Sequence, residues 1–347
     1  MTHNPIYHLK DAYFFEVPKG LWRRDWRSLD EVPKFLTAAH PEVHDVREFN
    51  EALSGKILIP QPFGSLDSLY TAKSGFCISK YMILEVVVGL AMFLMFSWLA
   101  KRIASGAPAK GRFANLLEAM LVFIRDQIAR PAIDDPHAHD HADDHGHADG
   151  HGHGHAAAHH AHAAPIHDGD AYVPFLWTLF FFILGCNLLG LVPWAGSPTA
   201  HFMVTLSLAG ATFLAGILGG FKSLGPVGYF KNLIPPIDMP WYLFPLKIVI
   251  GLGLFGIELF GLCIKHLILG VRLLANMVAG HLVLLGIMGL IPAAAALSFG
   301  TWGTVTAISV VGSTLFSILE LFVAFLQAYL FTFLSALFIG SSVHAHH

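Results

Sequence analysis

Seven polar side chains recur at helical spacing inside the most apolar part of this sequence, where each is costly to keep. Glu258, Lys265 and Arg272 stand seven residues apart, and Asn276 follows four residues later. At roughly 100° per residue these four fall within about 40° of one another, on one face of a helix. Further along, Ser313, Glu320 and Gln327 repeat the spacing of seven. Two narrow polar stripes in otherwise apolar helices are what an aqueous path for a small ion needs. The alternative is an internal ion pair, such as Glu258 with Lys265, that merely holds helices together. Arg272 constrains the choice most, because a guanidinium stays charged under any plausible condition and needs an anionic partner inside a membrane. On its own face the only acid is Glu258, about four turns away.

The elements that must carry these stripes are membrane spans. The chain has 347 residues, 54% of them hydrophobic and only 13% charged. Its mean hydropathy is +0.58, too apolar for an ordinary soluble domain. The net charge of −3 implies no basic surface for nucleic acid. Cys77, Cys186 and Cys263 are widely spaced in or beside apolar runs, which argues against a disulfide framework or a cysteine metal site.

Residues 81–100 form a first run long enough for the ~30 Å hydrocarbon layer at about 1.5 Å per residue. Residues 113–133 place Leu116, Leu117, Met120, Phe123, Ile124 and Ile128 against Glu118, Arg125, Asp126 and Arg130, a pattern too charged to span that predicts an interfacial amphipathic helix. Residues 173–194 and 202–221 are the second and third spans, followed by a polar, proline-rich stretch at 222–240. Residues 245–292 and 302–340 are each too long for a perpendicular crossing, so the first is either two spans or one steeply tilted helix. Read as one crossing, the chain has five spans.

Lys101, Arg102, Lys110, Arg112, Arg125 and Arg130 follow span one, and Lys222 and Lys231 follow span three. The short loops 195–201 and 293–301 hold no Lys or Arg. By the positive-inside rule the basic regions are cytoplasmic, which puts the N-terminus outside and the C-terminus inside. With no secretory signal or transit peptide at the start, the pattern suggests a bacterial inner membrane.

The run from Gly270 to His281 reads GVRLLANMVAGH, and Glu320 to Ala328 reads ELFVAFLQA. Their Arg-x-x-x-Asn-x-x-x-Gly motif, with the later Glu and Gln, resembles subunit a of the F-type ATP synthases, the membrane stator of the rotary proton motor. Supporting stretches are NLLGLVP from Asn187, PTAHFMVTLSLA from Pro198 and KRIASGAPAK from Lys101. The resemblance covers residues 79–340 apart from one insertion. It implies an all-α integral membrane fold: about five transmembrane helices, one interfacial amphipathic helix, and two long tilted final helices that embrace a c-ring. It also implies partners, namely the c-subunit ring, the b subunits of the peripheral stalk and the other F1F0 subunits, and a role as a proton-translocating subunit that is not an enzyme on its own. No cofactor is implied, and no Gly-x-x-x-x-Gly-Lys-[Ser/Thr] phosphate loop is present, so nucleotide chemistry falls to other subunits.

By that resemblance Arg272 faces the c-ring carboxylate and insulates two half-channels. Glu320, His281, Asn276 and Gln327 line the proton path, with Glu258, Lys265 and Ser313 as secondary polar positions. Much of the bacterial family has an acid where this chain has His281 and a histidine where it has Glu320; here the two are exchanged, as in the mitochondrial arrangement. A carboxylate near pKa ~4 and an imidazole near ~6.5 converge on burial, so a relay survives the exchange and favours H⁺ over Na⁺. His266 stands where proline is common and His201 where an acid or amide is common; a lone histidine at such places is more often packing than chemistry.

The insertion, residues 137–167, holds His137, His139, His141, His145, His147, His151, His153, His155, His159, His160, His162 and His167, interspersed with Asp140, Asp143, Asp144 and Asp149. Such a composition cannot bury enough apolar surface to fold alone. Its ligands could hold divalent metals adventitiously, which motivates one rival function, a divalent-metal transporter with a cytosolic histidine loop. Against it, the spans contain no Asp, and their acids, Glu85, Glu258 and Glu320, are far apart. A purely structural scaffold is a second rival, but it leaves the matched polar stripes unexplained. The expected organisation is an extramembrane segment (1–79), a first span with the interfacial helix (80–136), a disordered cytoplasmic insertion (137–170), a helical channel core (171–342) and a histidine-containing tail (343–347).

Overall fold

Long uninterrupted apolar runs leave the backbone only one way to satisfy its polar groups in hydrocarbon, which is helix. The computed structural model describes residues 11–41, 43–104, 111–134, 168–192, 195–234, 244–296 and 298–344. Among these, five helices are long and apolar enough to cross a membrane: α3 (Lys80–Ile103), α6 (Val173–Gly190), α7 (Phe202–Asn232), α8 (Phe244–Ala293) and α9 (Phe299–Val343). The five-span reading holds, and 245–292 lies within one helix, Phe244–Ala293, of 50 residues. At about 1.5 Å per residue α8 reaches roughly 75 Å, more than twice the hydrocarbon thickness, so it crosses obliquely or projects beyond the bilayer. The described residues fall into two units, built from 1–98, 181–207 and 270–328, and from 99–180, 208–269 and 329–347.

In the first unit the N-terminal segment has a core of its own. Strand β1 (Phe14–Glu16) pairs antiparallel with β2 (Lys56–Leu58), placing Phe14 opposite Leu58. Helices α1 (Lys34–Ala39) and α2 (Val46–Leu53) bury Leu36, Phe49 and Leu53 against Phe14, Val32 and Leu69. Asp45 caps α2 by accepting from the Arg47 amide at 2.9 Å. The Lys56 ammonium lies 5.1 Å from the centre of the Phe14 ring, and burial pushes its pKa below the ordinary lysine value, with Glu16 opposing. A second hairpin, β3 (Gly64–Leu66) with β4 (Ala72–Gly75), leads to the start of α3, where the Lys80 amide donates to the Ala12 carbonyl at 2.8 Å. Lower down, α3 meets α6 closely: a Cβ on Gly185 would sit 2.8 Å from Val88 Cγ1.

In the second unit the amphipathic stretch forms α4 (Arg112–Phe123), a π-helical segment (Ile124–Ala129) and α5 (Arg130–Ile133). The π-turn alters the regular i→i−4 pattern, and the Leu121 carbonyl accepts from the Trp177 indole at 2.9 Å. Arg130 makes a bidentate pair with Asp170, both bonds 2.9 Å, and reaches Asp126 at 3.1 Å. Arg125 holds the same Asp126, and the hydrogen bond to it raises the Arg125 pKa further. The Gly169 amide donates to Asp134 Oδ1 at 2.8 Å. These bonds close a neck around the insertion: residues 135–167, with the expected disordered segment and its histidines, lie outside the described residues, while Asp168–Ala171 forms a 3-10 turn.

The sequence places the third span at 202–221 and a polar stretch after it; in the structure α7 runs on to Asn232. Its regular geometry breaks only at Gly225 (φ 73°), just before Pro226, where proline removes the amide that would continue the ladder. Just before the break Ser223 Oγ donates to the Val343 carbonyl at 2.8 Å, and beyond it Asn232 Nδ2 donates to the His344 carbonyl at 3.4 Å. The end of α9 packs onto α5 so tightly that a Cβ on Gly340 would overlap the Ala132 carbonyl oxygen. Replacing Gly340 by Val should therefore destabilise this unit by about 1–3 kcal/mol, the usual range for overpacking; thermal unfolding of the detergent-purified chain, with Ser341→Val as the exposed control, measures it.

Candidate functional site

An ionised carboxylate buried among apolar helices without a compensating group is far costlier than one in water. In the first unit Glu320 is 5% exposed, and what faces it is the imidazole of His281, with Nδ1 3.4 Å from Glu320 Oε1. The same Nδ1 lies 3.0 Å from the Met277 carbonyl, so the hydrogen bond to that oxygen places a proton on Nδ1. Helix α8 supplies His281 and α9 supplies Glu320, and they meet because Gly280 has no side chain: a Cβ there would lie 2.5 Å from Glu320 Oε1. Among the described residues neither Glu320 oxygen accepts a conventional hydrogen bond. The carboxylate and imidazole are thus positioned to pass a proton by a small adjustment of either side chain.

Two turns further along α9, Gln327 is 3% exposed and its amide nitrogen has no hydrogen-bond partner among the described residues. Between Glu320 and Gln327 the Ala324 carbonyl accepts from Asn187 Nδ2 at 3.3 Å. Asn187 Oδ1 in turn accepts from the Thr199 hydroxyl at 2.7 Å, and Thr199 and Ser197 are joined at 2.7 Å. All three side chains are essentially inaccessible to solvent. Gly190 lets this group approach α8, since a Cβ there would meet Ser197 Cβ at 2.7 Å and Met277 Cε at 2.9 Å. Reading the sequence alone assigns no role to Asn187, Thr199, Ser197, Gly190 or Gly280. The signal was present in the quoted runs from Asn187 and Pro198 and in the glycine of the arginine motif, but only the fold brings them together.

The other expected positions are placed differently. Arg272 and Asn276 lie on the same helix as His281; Arg272 is exposed and Asn276 half-buried, and among the described residues Arg272 has no ion-pair or hydrogen-bond partner. Ser313 donates to its own helix at the Val310 carbonyl, 3.0 Å away. In the second unit Glu258 and Lys265 are exposed, and no ion pair joins them among the described residues, so the alternative of a structural pair finds no support there. His266 is 6% exposed, its ring packed 5.1 Å from Phe213 and 4.8 Å from Phe338, and Nδ1 bonds its own helix at the Leu262 carbonyl. That is a packing role. His201 lies 5.9 Å from the Tyr81 ring at the head of α3. No cluster of three or more His, Cys, Asp or Glu suited to a metal occurs among the described residues.

Fold and site together define a multi-pass, all-α integral membrane protein with an acid–base pair buried between its two longest helices. The family model for the ATP synthase A chain matches residues 158–340, which include every part of this site. The chain is 32% identical to ATP synthase subunit a of Anaeromyxobacter sp. (strain Fw109-5) over 99% of its length and 70% of the relative's. It is 36% identical to ATP synthase subunit a of Myxococcus xanthus over 74% of this chain and 70% of that one, and 32% identical to the subunit of Chlorobium phaeobacteroides over 91% and 81%. The chain belongs to the ATP synthase subunit a family.

If Gly280 exists to admit the Glu320 carboxylate, Gly280→Ala should displace it from His281 with little effect on folding, because the atom that must move ends a side chain. Proton-driven ATP synthesis by the assembled complex should fall about tenfold or more, as small misplacements of catalytic groups do, while the amount of subunit in the membrane stays unchanged.

Proposed function

We propose that this chain carries protons past the rotor of an F1F0 ATP synthase, and the observation that carries the reading is Arg272. It is a permanent cation midway along the 50-residue α8, exposed, with no partner among the described residues. Such a charge is tolerated only where another protein brings an anion to it. In this reading the anion is the carboxylate of each c subunit as the ring turns. Proximity to a fixed cation lowers a carboxylate's pKa and favours proton release into the exit path. The same charge repels a proton that would otherwise leak straight between the entry and exit half-channels.

The His281–Glu320 pair is the core of the entry or exit relay, with Asn276 and Gln327 as hydrogen-bonding neighbours. Glu258, Lys265 and Ser313 are secondary positions of the polar stripes. The exchange of acid and imidazole relative to much of the bacterial family leaves one of each in place and suits H⁺ rather than Na⁺. The subunit performs no nucleotide chemistry itself; the b subunits and the remaining F1F0 subunits hold it against the torque. It resides in a bacterial inner membrane with the N-terminus outside and the C-terminus cytoplasmic, the side on which the charges of the 101–134 region and the insertion then lie. The organisation into an extramembrane segment, an interfacial helix, a dispensable insertion and a channel core belongs to the same reading.

Arg272→Ala should abolish both ATP synthesis and ATP-driven proton pumping in inverted vesicles that contain the assembled complex, and should open a passive proton leak. Arg272→Lys should fail as well, because an ammonium enclosed between this helix and the rotor can lose its proton and lacks the planar fork. Wild-type synthesis rates in the Arg272→Ala vesicles would refute the mechanism.

For the relay, Glu320→Gln should leave assembly intact and reduce synthesis strongly, whereas the exchange His281→Glu with Glu320→His should retain more activity than either single change. Normal proton flux in Glu320→Gln would remove the pair from the path. Excising residues 137–167 separates this reading from metal transport: synthesis should persist, and divalent-metal uptake into the same vesicles should be absent before and after excision.

A further inference from the structure

We propose that Glu85 is a further proton-carrying residue of this chain, the outermost carboxyl of the entry path, which collects protons at the head of α3 and passes them through water to His281. The inference rests on the reading of His281 and Glu320 as a relay. Glu85 stands on a membrane-spanning helix, where an ionisable side chain is costly and is kept for pairing or for moving ions. Pairing is not its use: among the described residues its side chain makes no ion pair and no hydrogen bond.

Its place on the helix decides which way it faces. Tyr81, Leu84 and Val88 are buried, whereas Val86, Val87, Leu90, Phe93 and Leu94 are exposed. At roughly 100° per residue, Glu85 lies about 40° from Tyr81 and about 140° from Leu90, the centre of the exposed stripe. The half-buried carboxyl is therefore turned toward the protein side of α3, and what lies there is α6. Val88 sits against Gly185, where a Cβ would come within 2.8 Å of Val88 Cγ1, and the rings of Phe96 and Phe181 are 5.1 Å apart. The two helices thus run antiparallel, and three residues from Val88 toward the head of α3 bring Glu85 level with the turn that starts at Leu188. The Cys186 thiol, inaccessible to solvent, is within electrostatic reach of the carboxyl. Cys186 and Gly190, four residues apart, share one face of α6, and the Gly190 carbonyl faces the His281 ring. The Glu85 carboxyl and the relay imidazole thus address the same turn of α6 from two different helices.

Toward the head of α3 the surroundings turn polar. Asp11 Oδ1 accepts from the Ala12 amide at 2.9 Å and lies 3.5 Å from the amide of Tyr81, one turn above Glu85, within electrostatic reach of the carboxyl. The other ionisable groups at this end are Glu16, Lys80, Tyr81 and His201. Lys80 is 5% exposed, with its ammonium beside Gly196 and 5.4 Å from the centre of the Tyr81 ring, and the anions that act on it are Glu16 and Asp11. The His201 ring lies 5.9 Å from that of Tyr81. Below this cluster the exposed apolar face of α3 begins at Val86, so Glu85 is the first carboxyl met on the way in. Each step moves one proton and breaks no bond between heavy atoms. The Glu85 carboxylate takes a proton from hydronium, the neutral acid gives it to water, and His281 takes it from there on its way to Glu320.

The test uses proteoliposomes that hold the whole F1F0 complex with F1 outward, so that in the proposed orientation the head of α3 faces the lumen. Luminal pH is varied while a potassium diffusion potential keeps the total driving force constant, and ATP synthesis is measured per assembled complex. Glu85→Gln should lower the rate about tenfold, less than the ~10²–10⁴-fold typical of a positioned acid–base group because water replaces it in part. The deficit should widen as luminal pH rises, since uptake without the carboxylate depends directly on hydronium. Glu85→Ser should behave in the same way with a smaller side chain. Glu85→Asp restores a carboxyl and should recover most of the rate and the shallower pH profile, and Glu51→Gln, which removes an exposed carboxylate from the N-terminal lobe, should match the wild type. A loss that is uniform across pH and not recovered by Glu85→Asp would make Glu85 a structural residue and overturn the proposal, as would wild-type rates in Glu85→Gln. Glu320→Gln is measured in parallel. If it is blocked while Glu85→Gln matches the wild type, this proposal alone fails; if both match the wild type, the relay reading fails with it.

Discussion

A charge in hydrocarbon must meet an opposite charge or give up its proton, and the arrangement of this protein's two longest helices follows from that constraint. Glu320 meets it inside the chain by facing His281 across the α8–α9 contact. Arg272 cannot shed its proton and has no partner within the chain among the described residues. Helix α8 thus carries both the imidazole that faces Glu320 and the lone Arg272, less than three turns apart in sequence. The acid–base pair lies within one chain, whereas Arg272 has no counter-charge among the described residues.

The contacts that bring these groups together are made by omission of side chains. Between lipid-exposed helices there is little hydrophobic gain from association, because lipid is as apolar as leucine, so close backbone approach and hydrogen bonds do the holding. Gly280 opens the space for the Glu320 carboxylate, Gly190 that for Ser197 and Met277, and Gly340 the crossing of α9 over α5. The buried Ser197–Thr199–Asn187 chain then ties the loop after α6 to the α9 backbone at Ala324, between the two polar residues of the stripe. A methyl group at Gly280 or Gly190 would meet neighbouring atoms, so the site depends on positions that carry no chemistry of their own.

The spans were legible because hydropathy and length are local properties, and a run such as 245–292 has only a few ways to lie in a bilayer. The stripes were legible because a period of seven places side chains on one helical face whatever surrounds it. The pairing of His281 with Glu320 was reachable only through the family resemblance, since no local pattern says which face of α8 meets α9. The buried hydroxyl–amide chain escaped notice because Ser, Thr and Asn in a short loop look like ordinary turn residues until their burial is known. Similarly, helix in the polar stretch 222–232 was not expected from its composition; the chain kinks at Gly225, where φ is 73°, and resumes as helix beyond Pro226, where Asn232 bonds the end of α9. His266 is the simpler case: a lone histidine at such a place is expected to pack, and its contacts with Phe213 and Phe338 are packing contacts.

The neck formed by Asp134 with Gly169 and by Arg130 with Asp170 bears on how such a subunit tolerates foreign sequence. When the two ends of a chain segment are fixed by the fold, the entropy of closing the loop grows only logarithmically with its length, about 0.6 kcal/mol for each doubling of a flexible chain. Fixing the ends also keeps that length from pulling on α5 or α6. The bonds of the neck thus hold residues 134 and 169 together at the ends of α5 and α6, so that on this entropic ground a longer connection between them costs the fold little.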